Sequence, residues 1–303
     1  MKATKKKEKT MATILDGKLT SAKVKEEVAA KIAAACADGR TPPCLAVVIV
    51  GDNPASKVYV ANKKKACEAV GIRSLSYELP GETSQEELLA LVDRLNADAA
   101  VNGILVQLPL PGHIDEQTVI ERISPAKDVD AFHPSNVGRI MLGLDGFAPC
   151  TPAGIMRLLA EYGISAAGKN CVVVGRSNIV GKPMALLLLK ANGTVSVCHS
   201  KTADLASHTK QADILVVAIG RAKFITADMV ADGAVIVDVG MNRVDGKLCG
   251  DVIRRFVLFE RQLRPGVDRP ADGQYLFGNG LRVFFNRFVV HRFSVFRITR
   301  GRS

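Results

Sequence analysis

Short apolar runs alternate along this chain with longer segments of helical pattern, and no other feature constrains its fold as strongly. Six runs have the length and character of strands, at residues 45–50, 103–108, 170–174, 194–198, 213–218 and 234–239. Apolar runs of this kind are typical of strands covered on both faces, and helices between them indicate βαβ units. Glycines and prolines cluster near residues 140–152, where we place a domain boundary. We therefore predict two α/β domains with parallel sheets.

The basic residues of this chain are concentrated at its two ends. The net charge is +11, to which residues 1–10 contribute five lysines and one glutamate, and residues 252–303 eleven arginines and three acids. Residues 11–251 therefore carry a net charge of −1. A nucleic-acid-binding domain carries its basic stripe on the folded body, so this distribution argues against nucleic acid as a partner. We expect residues 1–10 to form a disordered basic tail.

The seven cysteines are scattered along the chain and form no Cys-x-x-Cys pair. This pattern predicts reduced thiols, with neither a disulfide framework nor a metal site. No apolar run reaches the roughly 18 residues that a membrane helix needs. No apolar stretch follows the first lysines, as it would in a secretory signal. We therefore expect a cytoplasmic protein with no membrane partner and no bound metal.

The composition changes abruptly after about Val252. Residues 252–303 hold eight of the eleven phenylalanines and no lysine, and they show no clean helical period. Two interpretations stay open, namely a species-specific extension or a segment translated out of frame. The predicted organisation is therefore a basic tail at 1–10, a first domain at 11–145, a second domain at 146–251 and an anomalous Arg/Phe-rich tail at 252–303.

A strand, a glycine turn and the start of a helix follow one another between residues 171 and 183. This arrangement presents backbone N–H groups and the positive end of a helix to a phosphate. The segment is not a strict G-x-G-x-x-G, because Ser177, between Gly175 and Gly181, stands where the middle glycine of the motif would be. A plain βα turn is therefore the alternative. No acid follows the next strand to bind a ribose hydroxyl, whereas Arg176 and Ser200 could accept a 2′-phosphate. This favours NADP over NAD, although a surface cation is an equally ordinary role for Arg176.

Tyr59 and Lys63 are four residues apart in a predicted helix, so they project from one face. A phenol ring can stack on a flat heterocycle while a neighbouring lysine amine transfers a proton. The alternative is a chance pair with a structural role. Short-chain dehydrogenases also use Tyr-x-x-x-Lys, but their glycine-rich turn precedes the pair, and here the turn follows it by about 115 residues.

Polar side chains also follow the second apolar run of the first domain. Gln107 stands at its carboxyl end, where open α/β sheets bind their ligands. Asp128 and Asp130 lie in a later loop. A carboxylate can bind a guanidine-like edge, such as that of a pterin, through two parallel hydrogen bonds. Loop capping is the alternative for each of these acids.

Seven ordered blocks make the chain from about Thr13 to Val252 resemble the bifunctional methylenetetrahydrofolate dehydrogenase/cyclohydrolase family. The blocks are Ser56-x-x-Tyr59-x-x-x-Lys63, Gly103-x-Leu-Val-Gln107-Leu-Pro-Leu-Pro, Lys127-Asp-Val-Asp130, Pro149-Cys-Thr-Pro-x-Gly154, Val173-Val-Gly-Arg-Ser177-x-x-Val-Gly-x-Pro183, Cys198-His-Ser-Lys-Thr202 and Asp238-Val-Gly-Met-Asn242.

The resemblance implies a fold and a set of site residues. Tetrahydrofolate derivatives would bind the first domain, in an active-site cleft between the two domains, and NADP would bind a Rossmann-like second domain. The implied catalytic residues are Lys63, Gln107 and Asp130. The implied folate contacts are these three together with Tyr59, Val106 and Leu108. The implied NADP contacts are Gly175, Arg176, Ser177, Ser200 and Met241.

The resemblance also implies two successive reactions in one-carbon metabolism. NADP-dependent oxidation of 5,10-methylenetetrahydrofolate gives the methenyl cation, and its hydrolysis gives 10-formyltetrahydrofolate. By analogy Lys63 is the catalytic group, Gln107 hydrogen-bonds and tunes it, Tyr59 stacks on the folate ring and Asp130 holds the pterin edge. The family is usually a homodimer through its nucleotide domain.

The resemblance ends after Val252, where the family has a proline- and glycine-rich loop and a final helix. None of this is legible in residues 252–303. A second hypothesis is therefore a non-catalytic nucleotide-binding remnant that has lost the folate loop. A third, from another class of function, is a basic-tailed nucleic-acid partner.

Overall fold

The computed structural model describes residues 11–253 and 294–299. The predicted basic tail at 1–10 and most of the anomalous tail at 252–303 lie outside these residues. In chain order the elements are β1 Met11–Leu15, α1 Gly17–Ala37, β2 Cys44–Val50, α2 Pro54–Ala69, β3 Arg73–Leu79, α3 Gln85–Ala97, β4 Gly103–Val106, α4 Glu116–Arg122, α5 Pro134–Met141, α6 Cys150–Glu161, β5 Asn170–Val174, α7 Gly181–Lys190, β6 Thr194–Cys198, α8 Leu205–Thr209, β7 Ile214–Val217, β8 Val235–Asp238, β9 Asn242–Val244, β10 Lys247–Cys249 and β11 Ser294–Thr299.

The described residues form two compact units, which we call the first and second unit. The first unit comprises residues 19–154, and the second comprises residues 11–18, 155–253 and 294–299. Helices α1 and α6 each cross from one unit into the other along the chain.

The first unit contains a three-stranded parallel sheet in the order β3-β2-β4. Every residue of β2 and β4 is buried, as expected for apolar strands covered on both faces. Helix α3 packs on the sheet through Leu88, Leu91 and Val92. It begins with a capping box in which Ser84 and Glu87 each accept a hydrogen bond from the other's backbone N–H.

The second unit contains a six-stranded sheet in the order β1-β11-β8-β7-β5-β6. The four strands from β8 to β6 are parallel, and their alternation with helices confirms the predicted α/β class. Strand β11 is antiparallel to both β8 and β1, a pairing that the sequence pattern did not indicate. An antiparallel neighbour needs no crossover helix, so the alternation of strands and helices gives no sign of it.

The carboxyl ends of the strands provide the two regions that matter for function. Strand β4 ends at Val106, directly before Gln107, and strand β5 ends at Val174, directly before Gly175. Open α/β sheets bind ligands at this edge.

Candidate active site

Lys63 and Gln107 meet in the first unit. Lys63 lies on α2, one turn after Tyr59, and its Nζ donates a hydrogen bond to Oε1 of Gln107 over 3.0 Å. Lys63 is partly buried, whereas Lys64 and Lys65 are exposed. The Tyr59 side chain is 43% exposed, which leaves much of its surface open to a ligand. The helix therefore presents one amine, held by an amide, one turn from an accessible phenol ring.

The orientation of the Gln107 amide is set by the chain around it. Its backbone N–H donates to the Val48 carbonyl over 2.8 Å and so continues the β4–β2 pairing. Its Nε2 donates to the Leu108 carbonyl over 2.7 Å. Because the nitrogen is used in this way, Oε1 is the atom that faces the Lys63 amine. Val106, the residue before Gln107, is buried and Leu108, the residue after it, is partly buried. The polar amide of Gln107 therefore has apolar residues on both sides in the chain.

The two acids of the 128–130 loop have different surroundings. Asp128 is 3% exposed, and its Oδ2 accepts hydrogen bonds from the His133 backbone and from Asn136 Nδ2, each over 2.9 Å. It therefore fixes the start of α5, which is the capping role weighed for it above. Asp130 is partly buried, and its Oδ1 accepts from the Cys150 thiol over 3.8 Å.

The electrostatic surroundings tie Asp130 to Lys63 and Cys150. Burial raises the pKa of the Asp130 carboxyl, the positive charge of Lys63 opposes that rise, and Asp128 adds to it. Burial also raises the pKa of the Cys150 thiol, with the charge of Asp130 as the next cause, so the thiol stays protonated and can donate. Residue-by-residue consideration missed Cys150, although it lies in the Pro149-Cys-Thr-Pro block.

Asp130→Asn is expected to raise the thermal stability of the protein at pH 7. A carboxyl group whose folded-state pKa is raised destabilises the fold when it ionises, and this cost disappears as pH falls through that pKa. The variant should therefore unfold a few degrees above the parent at pH 7, and the difference should shrink as the pH falls toward the ordinary aspartate pKa of 3.8. Thermal unfolding across this pH range checks this; a less stable variant at pH 7 would contradict it.

The turn after β5 brings backbone segments so close together that two of its positions require glycine. Gly175 has φ of +127°, and its N–H donates to the Cys198 carbonyl over 2.9 Å. A Cβ at this position would overlap the Ala218 carbonyl oxygen, and one at Gly181 would overlap the Gly175 carbonyl. Only glycine fits either position. The turn from Gly175 to Gly181, which we call the nucleotide cradle, leads directly into α7, and the positive end of this helix dipole favours a nearby phosphate.

Ser177 tightens this turn. Its Oγ accepts hydrogen bonds from the backbone N–H groups of Val180 and Gly181, over 3.1 and 3.3 Å. The hydroxyl hydrogen is left to donate outward, because accepting these bonds does not use it. The residue that replaces the second glycine of the usual fingerprint therefore stabilises the same turn by a side-chain contact.

The other predicted nucleotide contacts lie along the same edge of the sheet. Val174 and Cys198 are paired in register on β5 and β6, and Arg176 and Ser200 each follow two residues later. Both of these side chains are exposed. Met241, which follows β8, is 50% exposed. In the described part of the chain, no acid stands within two residues of the end of β6.

The described residues provide neither a cluster of metal ligands nor a membrane-spanning helix. Within residues 11–253 and 294–299, no group of three or more His, Cys, Asp or Glu side chains could hold a metal ion. Over the same residues, no helix has both the length and the apolar character needed to cross a membrane.

Comparisons with known proteins give the same division of the chain into two functional parts. Residues 15–130 match the model of the tetrahydrofolate dehydrogenase/cyclohydrolase catalytic domain. Residues 149–259 match the model of the NAD(P)-binding domain of the same family.

Individual relatives agree with the domain matches. The bifunctional protein FolD of Agathobacter rectalis is 59% identical over 243 residues, which cover 80% of this chain and 87% of the relative. The crystal structure of FolD from Campylobacter jejuni, a methylenetetrahydrofolate dehydrogenase/cyclohydrolase, is 55% identical with a TM-score of 0.78, covering 79% of this chain and 86% of that one. The enzyme of Trypanosoma brucei, solved with NADP cofactor and an inhibitor, is 32% identical with a TM-score of 0.78, covering 93% and 95%.

Proposed function

The chain belongs to the tetrahydrofolate dehydrogenase/cyclohydrolase family, and from this premise we propose that it catalyses both reactions of that family. It oxidises 5,10-methylenetetrahydrofolate to the methenyl compound with NADP, and it hydrolyses that product to 10-formyltetrahydrofolate. The observation that carries this proposal is the Lys63–Gln107 hydrogen bond, with an accessible tyrosine one turn away and the partly buried Asp130 within reach of the lysine charge.

In the first unit, the side chains present match the parts of a reduced folate. The pterin edge offers two parallel N–H donors to the Asp130 carboxylate. These hydrogen bonds replace the ones to water that the carboxylate loses through burial. The half-exposed Tyr59 ring stacks on the flat heterocycle. Val106 and Leu108 provide apolar contact on either side of Gln107.

Lys63 performs the proton transfers of the hydrolysis. Water adds to the methenyl carbon and loses one proton, which gives a neutral carbinol. One ring nitrogen then receives a proton as its bond to the carbon breaks, while the carbinol hydroxyl releases its proton to solvent and becomes the formyl C=O. A lysine amine within hydrogen-bond reach can serve both transfers. Gln107 holds the amine in place through its Oε1, which accepts a hydrogen bond from the amine but cannot remove its proton.

In the second unit, the glycine cradle and the exposed edge residues fit a dinucleotide. Gly175 and Ser177 hold the phosphates at the start of α7, Arg176 and Ser200 face the 2′-phosphate, and Met241 contacts the nucleotide from the end of β8. When bound, NADP accepts the hydride that the folate methylene carbon gives up. The chain's own task is to orient this acceptor and exclude water.

The assembly and location of the protein are part of the same proposal. We infer a homodimer formed through the second unit, whose edge strand β6 exposes Val197 by 41%. The seven scattered cysteines, which all lie in the described part of the chain and form no disulfide there, support a reducing compartment such as the cytoplasm.

Deuterium tracing tests the reaction sequence. The purified chain is given NADP and 5,10-methylenetetrahydrofolate with two deuterium atoms on the methylene carbon. One deuterium should appear in the reduced nucleotide and the other in the formyl group, because the same carbon reacts twice. Loss of the first deuterium to solvent, or formyl product without nucleotide reduction, would contradict the proposal.

A further inference from the structure

Two buried carboxyl groups lie at the carboxyl edge of the second unit's sheet, and no step described above uses them. Asp238 and Asp251 are 3% and 0% exposed. Burial raises the pKa of Asp238, backbone N–H groups oppose the rise, and the neighbouring Asp251 adds to it. Burial of two neighbouring acidic groups is unfavourable unless both are well hydrogen-bonded. The hydrogen bonds that these two carboxyl groups accept therefore indicate what they do in the fold.

The Asp251 carboxylate joins two loops. Its Oδ2 accepts hydrogen bonds from the backbone N–H groups of Ile219 and Gly220, over 2.8 and 3.0 Å, in the turn that follows β7. Its Oδ1 accepts from Asn242 Nδ2 over 2.8 Å, in the segment that follows β8. One side chain therefore sets the distance between the ends of two neighbouring strands.

Asp238 in turn holds the segment that carries Asp251. Its Oδ1 accepts from the backbone N–H groups of Asp251 and Gly240, over 2.9 and 3.1 Å, and its Oδ2 accepts from Val252 over 3.1 Å. A Cβ at Gly240 would overlap the Asp251 carboxyl, and one at Gly250 would overlap that of Asp238. The arrangement leaves no room for movement without loss of hydrogen bonds.

The turn after β7 adjoins the nucleotide cradle, and the segment after β8 carries Met241, a proposed nucleotide contact. The turn after β7 begins at Ala218, whose N–H donates to the Val174 carbonyl over 2.8 Å and whose own carbonyl lies against Gly175. Met241 stands between Gly240 and Asn242, which Asp238 and Asp251 hold respectively. A nucleotide in the cradle would therefore meet loops whose positions these carboxylates set.

We propose that Asp251 is a positioning residue for the nucleotide: it locks the 219–220 turn and the Met241 segment in the arrangement that binds NADP. This inference rests on the proposed function for the identity of the ligand.

Asp251→Asn tests the role, because asparagine keeps the shape but turns one acceptor into a donor. With its oxygen toward the N–H groups of Ile219 and Gly220, its nitrogen faces Asn242, which must turn its own amide over to accept. The charge-assisted hydrogen bonds of the carboxylate are then replaced by weaker neutral ones. We expect the Kd for NADP, measured by titration calorimetry, to rise about tenfold or more. Hydrolysis of 5,10-methenyltetrahydrofolate needs no NADP and depends on residues of the first unit, which the substitution does not touch. Its rate should therefore stay within about twofold of the parent rate.

A reciprocal exchange provides the rescue. In the double variant Asp251→Asn with Asn242→Asp, the amide at 251 donates to the new carboxylate and its oxygen again accepts from Ile219 and Gly220. NADP affinity should return to within about threefold of the parent. Asp245→Asn, an exposed position in the same hairpin, is the matched control for the charge change and should leave the Kd unaltered.

The outcomes separate this inference from the proposed function. Unchanged NADP affinity in Asp251→Asn, or no recovery in the double variant, overturns the positioning role. If Asp251→Asn does not fold, Asn242→Ala decides, since it removes only the side-chain bond to Oδ1 and should also weaken NADP binding. A parent chain that binds NADP but does not oxidise folate contradicts the proposed function alone, whereas a parent that binds no NADP contradicts both.

Discussion

Lys63→Met is expected to abolish the hydrolysis of 5,10-methenyltetrahydrofolate. Methionine keeps the length and apolar stem of the side chain but removes the amine that donates to Gln107 over 3.0 Å. Removal of a general acid or base lowers a rate by about 10²–10⁴-fold, so kcat for hydrolysis should fall at least about 10²-fold. The measurement is the rate of disappearance of the methenyl compound, corrected for its spontaneous hydrolysis.

Lys64→Met is the matched control for this experiment. It makes the same change one position along the same helix, at a side chain that is exposed. Hydrolysis by this variant should equal that of the parent. Retained hydrolysis in Lys63→Met, in a protein that unfolds at the parental temperature, would remove Lys63 from its proposed role.

Gly175→Ala is expected to abolish NADP binding. The residue has φ of +127°, which alanine adopts only with strain, and the new Cβ would overlap the Ala218 carbonyl oxygen. Backbone strain of this kind costs about 1–3 kcal/mol, and the overlap must move either the cradle or the β7 turn in addition. NADP affinity should therefore fall about 10²-fold or more by titration calorimetry, with a lower unfolding temperature.

Gly168→Ala is the control that separates the effect of backbone strain from the effect of steric overlap by the new Cβ. Gly168 also has a positive φ, of +69°, but a Cβ there would meet nothing within 4 Å. We expect a small loss of stability, about 1 kcal/mol, and unaltered NADP affinity. Equal effects of the two alanine substitutions on NADP binding would show that the Gly175 cradle has no special part in it.

Local sequence patterns were sufficient to predict those helices and strands whose formation depends on residues close together in the chain. The apolar run at 45–50 predicted β2, which extends only one residue further, because a strand buried on both faces needs uninterrupted apolar side chains. Ser84 and Glu87 have the spacing of a capping box, and both of its reciprocal hydrogen bonds are present. The alternation of such elements was sufficient for the α/β class.

Contacts between distant residues could not be predicted in this way. The pairing of β1 with β11 joins the two ends of the chain, and neither strand lies in a βαβ unit. Asp251 accepts from Ile219, 32 residues away, and Cys150 donates to Asp130, 20 residues away. A single sequence contains no signal for such pairs. The roles proposed for Lys63, Gln107, Asp130 and the NADP contacts are predictions that the experiments above address.

The most direct test of the bifunctional account is the product balance of a single incubation of the purified chain with 5,10-methylenetetrahydrofolate and NADP. The account predicts that reduced nucleotide and 10-formyltetrahydrofolate accumulate together, in equal amounts once the methenyl compound has been hydrolysed. Binding of NADP without formation of either product would contradict it, and would favour a nucleotide-binding protein that has lost catalysis.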